Sequence, residues 1–395
     1  MRVAATPFRL FGLAVSGQFL FGIVLALPGT LFGLPRWTTP LGFDVPAQAQ
    51  LLVVFFAGQF LFTAIAGSLV DRIGCQRVLA LGAALIAVAL GWLALAGSAA
   101  AAMPPALVLA AGGASINASS NTLVSVTYGE RRGAMLSLMA TFGAIGALSA
   151  PVVFLGSPSL EQVTTRIGAL TVFAAVVAAL PLMVADTGAH SGGGQSLLAS
   201  ARLLRERPLL GLIALLGLEF GDEAVLAGWT AAFAIAVFPG TTGGIFVASY
   251  WLGLCAGRLA APALLKRAAK LVVVLAASFT TAAAVVGMAM APTLVTLGVC
   301  VFIAGFAVGP MAPTIVSVAG DRYPRQMGAA IGLLLSVAQL GGMVLPWLTG
   351  RVTVEYGYRA GLLVPAAAAL GVTIGTALAW RARARRPALV LEPEA

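Results

Sequence analysis

Gly67 to Leu79 reads GSLVDRIGCQRVL. It is a short polar stretch, punctuated by glycines, between two long apolar runs. Gly67 has no side chain, so another helix can approach it closely. Asp71 is an anion at the edge of an apolar run, suited to pairing with an arginine or a neighbouring helix N-terminus. Gly74 permits a sharp turn into the next run. The flanking runs, 47–70 and 77–98, are each about the ~20 residues a membrane-spanning helix needs. The stretch therefore reads as a tight connection between two spanning helices.

The whole chain fits that reading. It has 395 residues, 60% of them hydrophobic and only 9% charged, with a mean hydropathy of +1.01. A soluble domain carries about 25% charged residues. The alternating pattern of a membrane barrel is absent, so the spans are helices. Twelve apolar segments run 8–34, 47–70, 77–98, 103–127, 133–156, 165–186, 208–236, 244–265, 270–290, 292–318, 327–350 and 358–380. The N-terminus, MRVAATPFRLFGLAVSGQFLFG, has a basic start like a signal peptide. Its apolar run continues to Leu34, so it is read as the first span. Residues 1–186 form an N-terminal six-helix half and 187–207 a cytoplasmic central loop. Residues 208–395 form a C-terminal six-helix half with a basic cytoplasmic tail.

The net charge of +10 and pI near 10.5 would suggest nucleic acid in a soluble protein. Here the positive charge encodes topology. With the N-terminus inside, only Arg36, Arg166, Arg351 and Arg359 of the 23 basic residues fall outside. All others, Arg258 included, are assigned to cytoplasmic loops and ends, and none to the interior of a span. Both termini are expected in the cytoplasm, with WRARARRP (380–387) against anionic headgroups. Cys75, Cys255 and Cys300 are scattered, so no disulfide frame or metal spacing follows. The lone His190 lies in a Gly/Ser-rich loop and reads as bland.

An internal repeat is present. Gly113 matches Gly305, and NTLVSV (121–126) matches PTIVSV (313–318). Gly146 matches Gly341 and Pro151 matches Pro346. GSLVDRIGCQRVL (67–79) faces GRLAAPALLKRAA (257–269). The offset drifts only from 190 to 195 along the chain, as loop insertions would make it. A shift of six spans preserves orientation, so the two halves are parallel repeats about an axis along the membrane normal.

The stretch at 67–79 resembles the cytoplasmic loop signature of the major facilitator superfamily, roughly G-x-L-x-D-R-x-G-R-[KR]. Gly67, Leu69, Asp71, Arg72, Gly74 and Arg77 match, while Cys75 departs from the usual basic residue. The resemblance implies a fold of twelve transmembrane helices, all-α, in two six-helix halves that alternate access to a central site. It also implies that Gly67, Asp71, Arg72, Gly74 and Arg77 act as a cytoplasmic gate latching the outward-facing state. GAIGALSAP (143–151) loosely resembles a span 5 motif of the superfamily's antiporters, and close helix packing explains it as well.

Candidates for the transport pathway follow from cost. A carboxylate in hydrocarbon must be neutral, paired or wetted. Of 13 acids, Glu219, Asp222 and Glu223 lie deep in span 7, roughly 16–22 Å beyond Pro208 at 1.5 Å per residue. Their i, i+3, i+4 spacing puts them on one helix face. They are candidates for a proton or sodium site, Glu223 first. Other polar residues deep in spans are Gln18, Gln59, Asn117, Asn121 and Gln339. The pattern FGDE-x5-W (220–229) also looks like span 7 of the superfamily's fucose- and glucose-type symporters. Gly221, Glu223 and Trp229 match there, with Asp222 an addition. The fucose-type members keep an acid in spans 1 or 4, which this chain lacks. In the superfamily spans 1, 4, 7 and 10 line the cavity, which would place Gln18, Asn117 and Asn121 beside the acids to bond sugar hydroxyls, or between helices as packing amides; Trp229 would stack on a sugar face or sit near the outer interface.

The expected function is secondary active transport of a small solute, coupled to H⁺ or Na⁺ through span 7 and of sugar-symporter type. The alternative is a proton-driven efflux antiporter for drugs or lipophilic compounds. No G-x-x-x-x-G-K-[ST] phosphate loop exists for a nucleotide-driven pump. No histidine lies in a span to serve an intramembrane enzyme. A transporter-shaped receptor would bind ligand without gradient-driven flux. No cofactor, metal or nucleic acid is expected; the partners are the solute, the ion and the lipid bilayer. The chain is expected to be a monomer in the inner membrane.

Overall fold

The computed structural model describes residues 4–157, 159–187, 203, 205–323 and 326–384. Most of the central loop, His190 and the end of the basic tail lie outside them. The described residues form helices α1 (Pro7–Phe32), α2 (Val45–Ile73), α3 (Cys75–Ala94), α4 (Ala99–Tyr128), α5 (Arg132–Phe154) and α6 (Leu160–Met183). The second set is α7 (Arg207–Val237), α8 (Gly243–Arg267), α9 (Lys270–Met290), α10 (Leu294–Arg322), α11 (Met327–Tyr356) and α12 (Leu363–Ala384). Eleven helices among the described residues are long and apolar enough to cross a membrane. The twelfth, α7, has 31 residues and is set apart only by its three carboxylates. Twelve spanning helices in two halves are thus the architecture, and α1 begins on the side where α12 ends. That side is called the terminal side below, and the opposite one the far side.

Glycines set the spacing within each half, at positions the repeat pairs. A Cβ on Gly146 of α5 would run into the Phe19 carbonyl of α1; one on Gly341 of α11 would run into the Gly217 carbonyl of α7. The repeat-matched glycines do the same work in α1–α5 and in α7–α11. Gly253 and Gly257 of α8 likewise sit on the carbonyls of Phe302 and Phe306 of α10. Close backbone approach compensates for the missing hydrophobic drive between helices in lipid.

The halves touch on the far side and part toward the terminal side. Gly29 of α1 rests against the Ala227 carbonyl of α7, and Gly228 of α7 against Leu52 of α2. On α2, Ala49 faces Gly350 of α11, and Phe56 faces Gly342. Eighteen residues make five turns of a helix, so Gly67 has the azimuth of Ala49 and Gly332 that of Gly350. A Cβ on Gly67 or on Gly332 meets nothing within 4 Å. The stripe that packs at the far side is therefore open at the terminal side. The close approach expected at Gly67 is absent in this state, although its repeat mate Gly257 is tightly packed.

Gly74 fulfils its expected role. Its φ of +88° lies in the region that favours glycine, and it alone separates α2 from α3. The residues after it grip the end of α6. Gln76 donates to the Ala185 carbonyl at 3.2 Å and accepts from the Thr187 N–H at 2.9 Å. Arg77 Nη2 lies 2.9 Å from Asp186 Oδ2. Asp71 and Arg72 are exposed at the end of α2.

Two far-side arginines have a local cause. Arg166 donates to the carbonyls of Val153 and Leu155 at the end of α5. Arg359 donates to those of Ala289 and Ala291 at the end of α9. Both satisfy carbonyls that a helix C-terminus leaves without partners.

Candidate transport site

The site is built around the middle of α7. Glu219 and Asp222 have no accessible surface, and none of their four carboxylate oxygens has a hydrogen-bond partner. Glu223 retains a little exposure, with 16% of its side-chain surface open. Its neighbour is the residue the charge count misplaced. Arg258 lies inside α8, nine residues or roughly 13 Å before the helix ends at Arg267. Its Nη2 is 3.9 Å from Glu223 Oε2, and 28% of its side chain is exposed. The apolar segment 244–265 encloses Arg258, the helix follows that segment rather than the charge count, and the expectation that no basic residue enters a span is wrong here. The signal was present in LGLCAGRLAAPALL (252–265), where apolar residues flank Arg258 on both sides.

Two further features were not anticipated. Tyr250 of α8 is fully buried, and its hydroxyl has no hydrogen-bond partner. It lies within electrostatic reach of Glu223, Glu219, Asp222 and Arg258. In addition, α10 is interrupted at Gly309–Pro310, and a second helical half begins at Met311. The Ala312 N–H, near the start of that half, faces the Glu219 carboxylate without closing to a hydrogen bond. Helix N-termini are electropositive, so this end favours an anion. Asp222 shares the α7 face in azimuth and is fully buried, with no hydrogen-bond partner on either oxygen. Of the three acids, Glu223 is the one that lies against Arg258.

The remaining candidates lie elsewhere. Gln18 of α1 donates to Asn117 Oδ1 of α4 at 3.5 Å, and Asn121 Nδ2 donates to the same oxygen at 2.9 Å. These amides form one chain across two helices of the N-terminal half. Gln18 Oε1 and Gln59 Nε2 are buried without partners, while Gln339 is half-buried. Trp229 is not open to a solute in this state. It is 1% exposed, packs edge-on to Tyr358 at 6.5 Å, and lies 3.3 Å from where a Cβ on Gly350 would be. It belongs to the far-side closure.

The family model for the Major Facilitator Superfamily matches residues 14–291 and 224–395. The chain belongs to this superfamily. Its twelve helices, two halves and terminal-side loop are those of a secondary transporter. Among solved structures it is similar to a single-site variant of the nucleoside transporter NupG, with a TM-score of 0.77 at 16% identity over 93% of this chain and 99% of that one. The Spinster homologue from a bacterium, described as inward-facing and unoccupied, gives 0.75 at 15% identity over 95% and 96%. FucP in its outward conformation gives 0.65 at 21% identity over 93% and 98%. These likenesses establish the fold. No curated protein matches the sequence.

Proposed function

We propose that this superfamily member is a proton-coupled symporter of a small polar solute, working by alternating access in the inner membrane. Both termini are cytoplasmic in this reading, the monomer is the working unit, and the structure is the inward-facing state. The observation that carries it is the mid-membrane contact between Glu223 on α7 and Arg258 on α8, 3.9 Å apart and with both side chains partly exposed. A carboxylate beside a buried cation can exist charged and paired, or protonated with the cation released. Those are two states that a proton can select between.

A proton fits better than sodium. A sodium site needs several oxygens converging on one point, and a guanidinium beside Glu223 repels a second cation. Glu223 remains the first choice for the coupling residue, because Glu219 and Asp222 are sealed in this state. The amide chain Gln18–Asn117–Asn121 gives the other half a polar wall suited to hydroxyl-bearing solutes. The gate residues Gly67, Asp71, Arg72, Gly74 and Arg77 lie where the halves would close to reach the outward-facing state. The test is flux in proteoliposomes under imposed proton and sodium gradients, over a panel of sugars, nucleosides and lipophilic cations. Uptake of a polar solute that follows the proton gradient and ignores sodium supports this reading. Export of lipophilic cations against proton entry replaces it with the antiporter reading.

A further inference from the structure

Arg258 is underused as a partner of Glu223. A guanidinium carries five N–H donors in a rigid fork. Here the nearest acid sits at 3.9 Å, beyond hydrogen-bond length, and the buried Nε has no partner. A charged group left unsatisfied in a low-dielectric site is costly, and the fork geometry is that of an oxyanion receptor. Two neighbours supply matching donors. The Tyr250 hydroxyl is fully buried, has no partner, and lies within electrostatic range of Arg258 and of all three acids. The start of the second half of α10 directs the Ala312 N–H into the same region.

We propose that Arg258 is the receptor for an anionic group on the transported solute, a carboxylate or phosphate ester, with Tyr250 as a second donor. This rests on the reading of α7 as the proton-coupling helix. When Glu223 is ionised it competes with the solute for Arg258 and repels it. When Glu223 takes a proton, the guanidinium is free and the local charge admits one anion. Proton and anion then enter together, and neither is favoured alone. The groups facing Glu223 are consistent with this scheme. Glu219 and Asp222 share its helix, while Tyr250, Cys255 and Arg258 come from α8. Beyond the Ala312 amide, α10 adds Cys300 and, at its terminal end, Asp321 and Arg322. On α1 the only titratable side chain is Arg9 near the start. At the ends of α11 and α12 and in the short turn between them, the titratable residues among those described are Arg351, Glu355, Tyr356, Tyr358, Arg359, Arg381 and Arg383.

The experiment uses the full-length purified protein and matched pairs differing only in the acid: glucuronate with glucose, and glucose 6-phosphate with glucose. Binding is read by intrinsic tryptophan fluorescence and by thermal shift at pH 5.5 and 7.5. Proton uptake on ligand addition is followed in weak buffer. The expected result is that at least one anion binds tenfold or more tightly than its neutral mate at pH 5.5, weakens at pH 7.5, and carries a proton in with it. Arg258→Lys, which keeps charge but loses the fork, should cost that anion tenfold or more, and Tyr250→Phe a smaller factor. Should Arg258→Lys fail to fold, Tyr250→Phe and the pH dependence still decide. Equal binding of acid and neutral mates, binding unchanged in both variants, or silence from every anion overturns the proposal. Proton-driven flux of a neutral solute alone would overturn it while leaving the coupling role of α7 standing. Absence of any proton-driven flux would remove both.

Discussion

Arg258 Nη2 on α8 lies 3.9 Å from Glu223 Oε2 on α7, in the middle of the C-terminal half. The contact is close enough for strong mutual influence at low dielectric and too long to be a hydrogen bond. It therefore couples the two side chains without locking them together. Removing one member of such a buried pair leaves the other uncompensated and costs several kcal/mol. The double substitution Glu223→Gln with Arg258→Gln should accordingly be better tolerated than Arg258→Gln alone. Thermal unfolding of the three variants in one detergent checks this, with recovery in the double variant as the expected outcome.

The far-side closure depends on Trp229. It is buried against Tyr358 and the Gly350 backbone. Trp229→Ala should leave a cavity costing about 3–5 kcal/mol and shift the protein toward a far-side-open state. Labelling of an engineered cysteine at Ala49 should become faster in this variant than in the parent. Unchanged labelling would remove Trp229 from the gate.

Gly67 and Gly332 face open space, each five turns from a glycine or alanine that is packed across the halves. Large side chains there should fit the present state and obstruct closure of the terminal side. Gly67→Leu and Gly332→Leu should each keep full solute binding from the terminal side while slowing transport at least tenfold. Normal turnover in both variants would show that this stripe never closes.

Repeat-matched glycines should give matched defects. Gly146→Ala and Gly341→Ala each force a methyl against a carbonyl of the neighbouring helix, an overpacking cost of about 1–3 kcal/mol. Both should lower the midpoint of thermal unfolding by similar amounts. Gly211→Ala on α7, with nothing within 4 Å, is the control and should be neutral.

Much of this was legible in the sequence. The twelve helices follow from apolar run length, and the pairing of Gly146 with Gly341 in sequence marks the parallel halves. Gly74 was readable because a turn between abutting helices needs a positive φ. Arg258 was not. Charge counting pools a basic residue with its neighbours in sequence, here Lys266 and Arg267, whereas the helix carries it roughly 13 Å deeper. For Trp229 the sequence left two places open, a sugar face and the outer interface: depth along α7 was clear, but which partner helix the ring meets depends on the state of the transporter. Nor could spacing say which acid is paired. The i, i+3, i+4 rule gives a common face, and only the packing of α8 sets Arg258 against Glu223.

The most direct measurement is pH-driven uptake into proteoliposomes by Glu223→Gln. The variant should lose accumulation against a gradient and keep solute exchange at equal concentrations, because a neutral amide imitates the protonated carrier and cannot release its proton. Accumulation by Glu223→Gln at the parent rate would contradict the assignment of Glu223 as the residue that couples the proton.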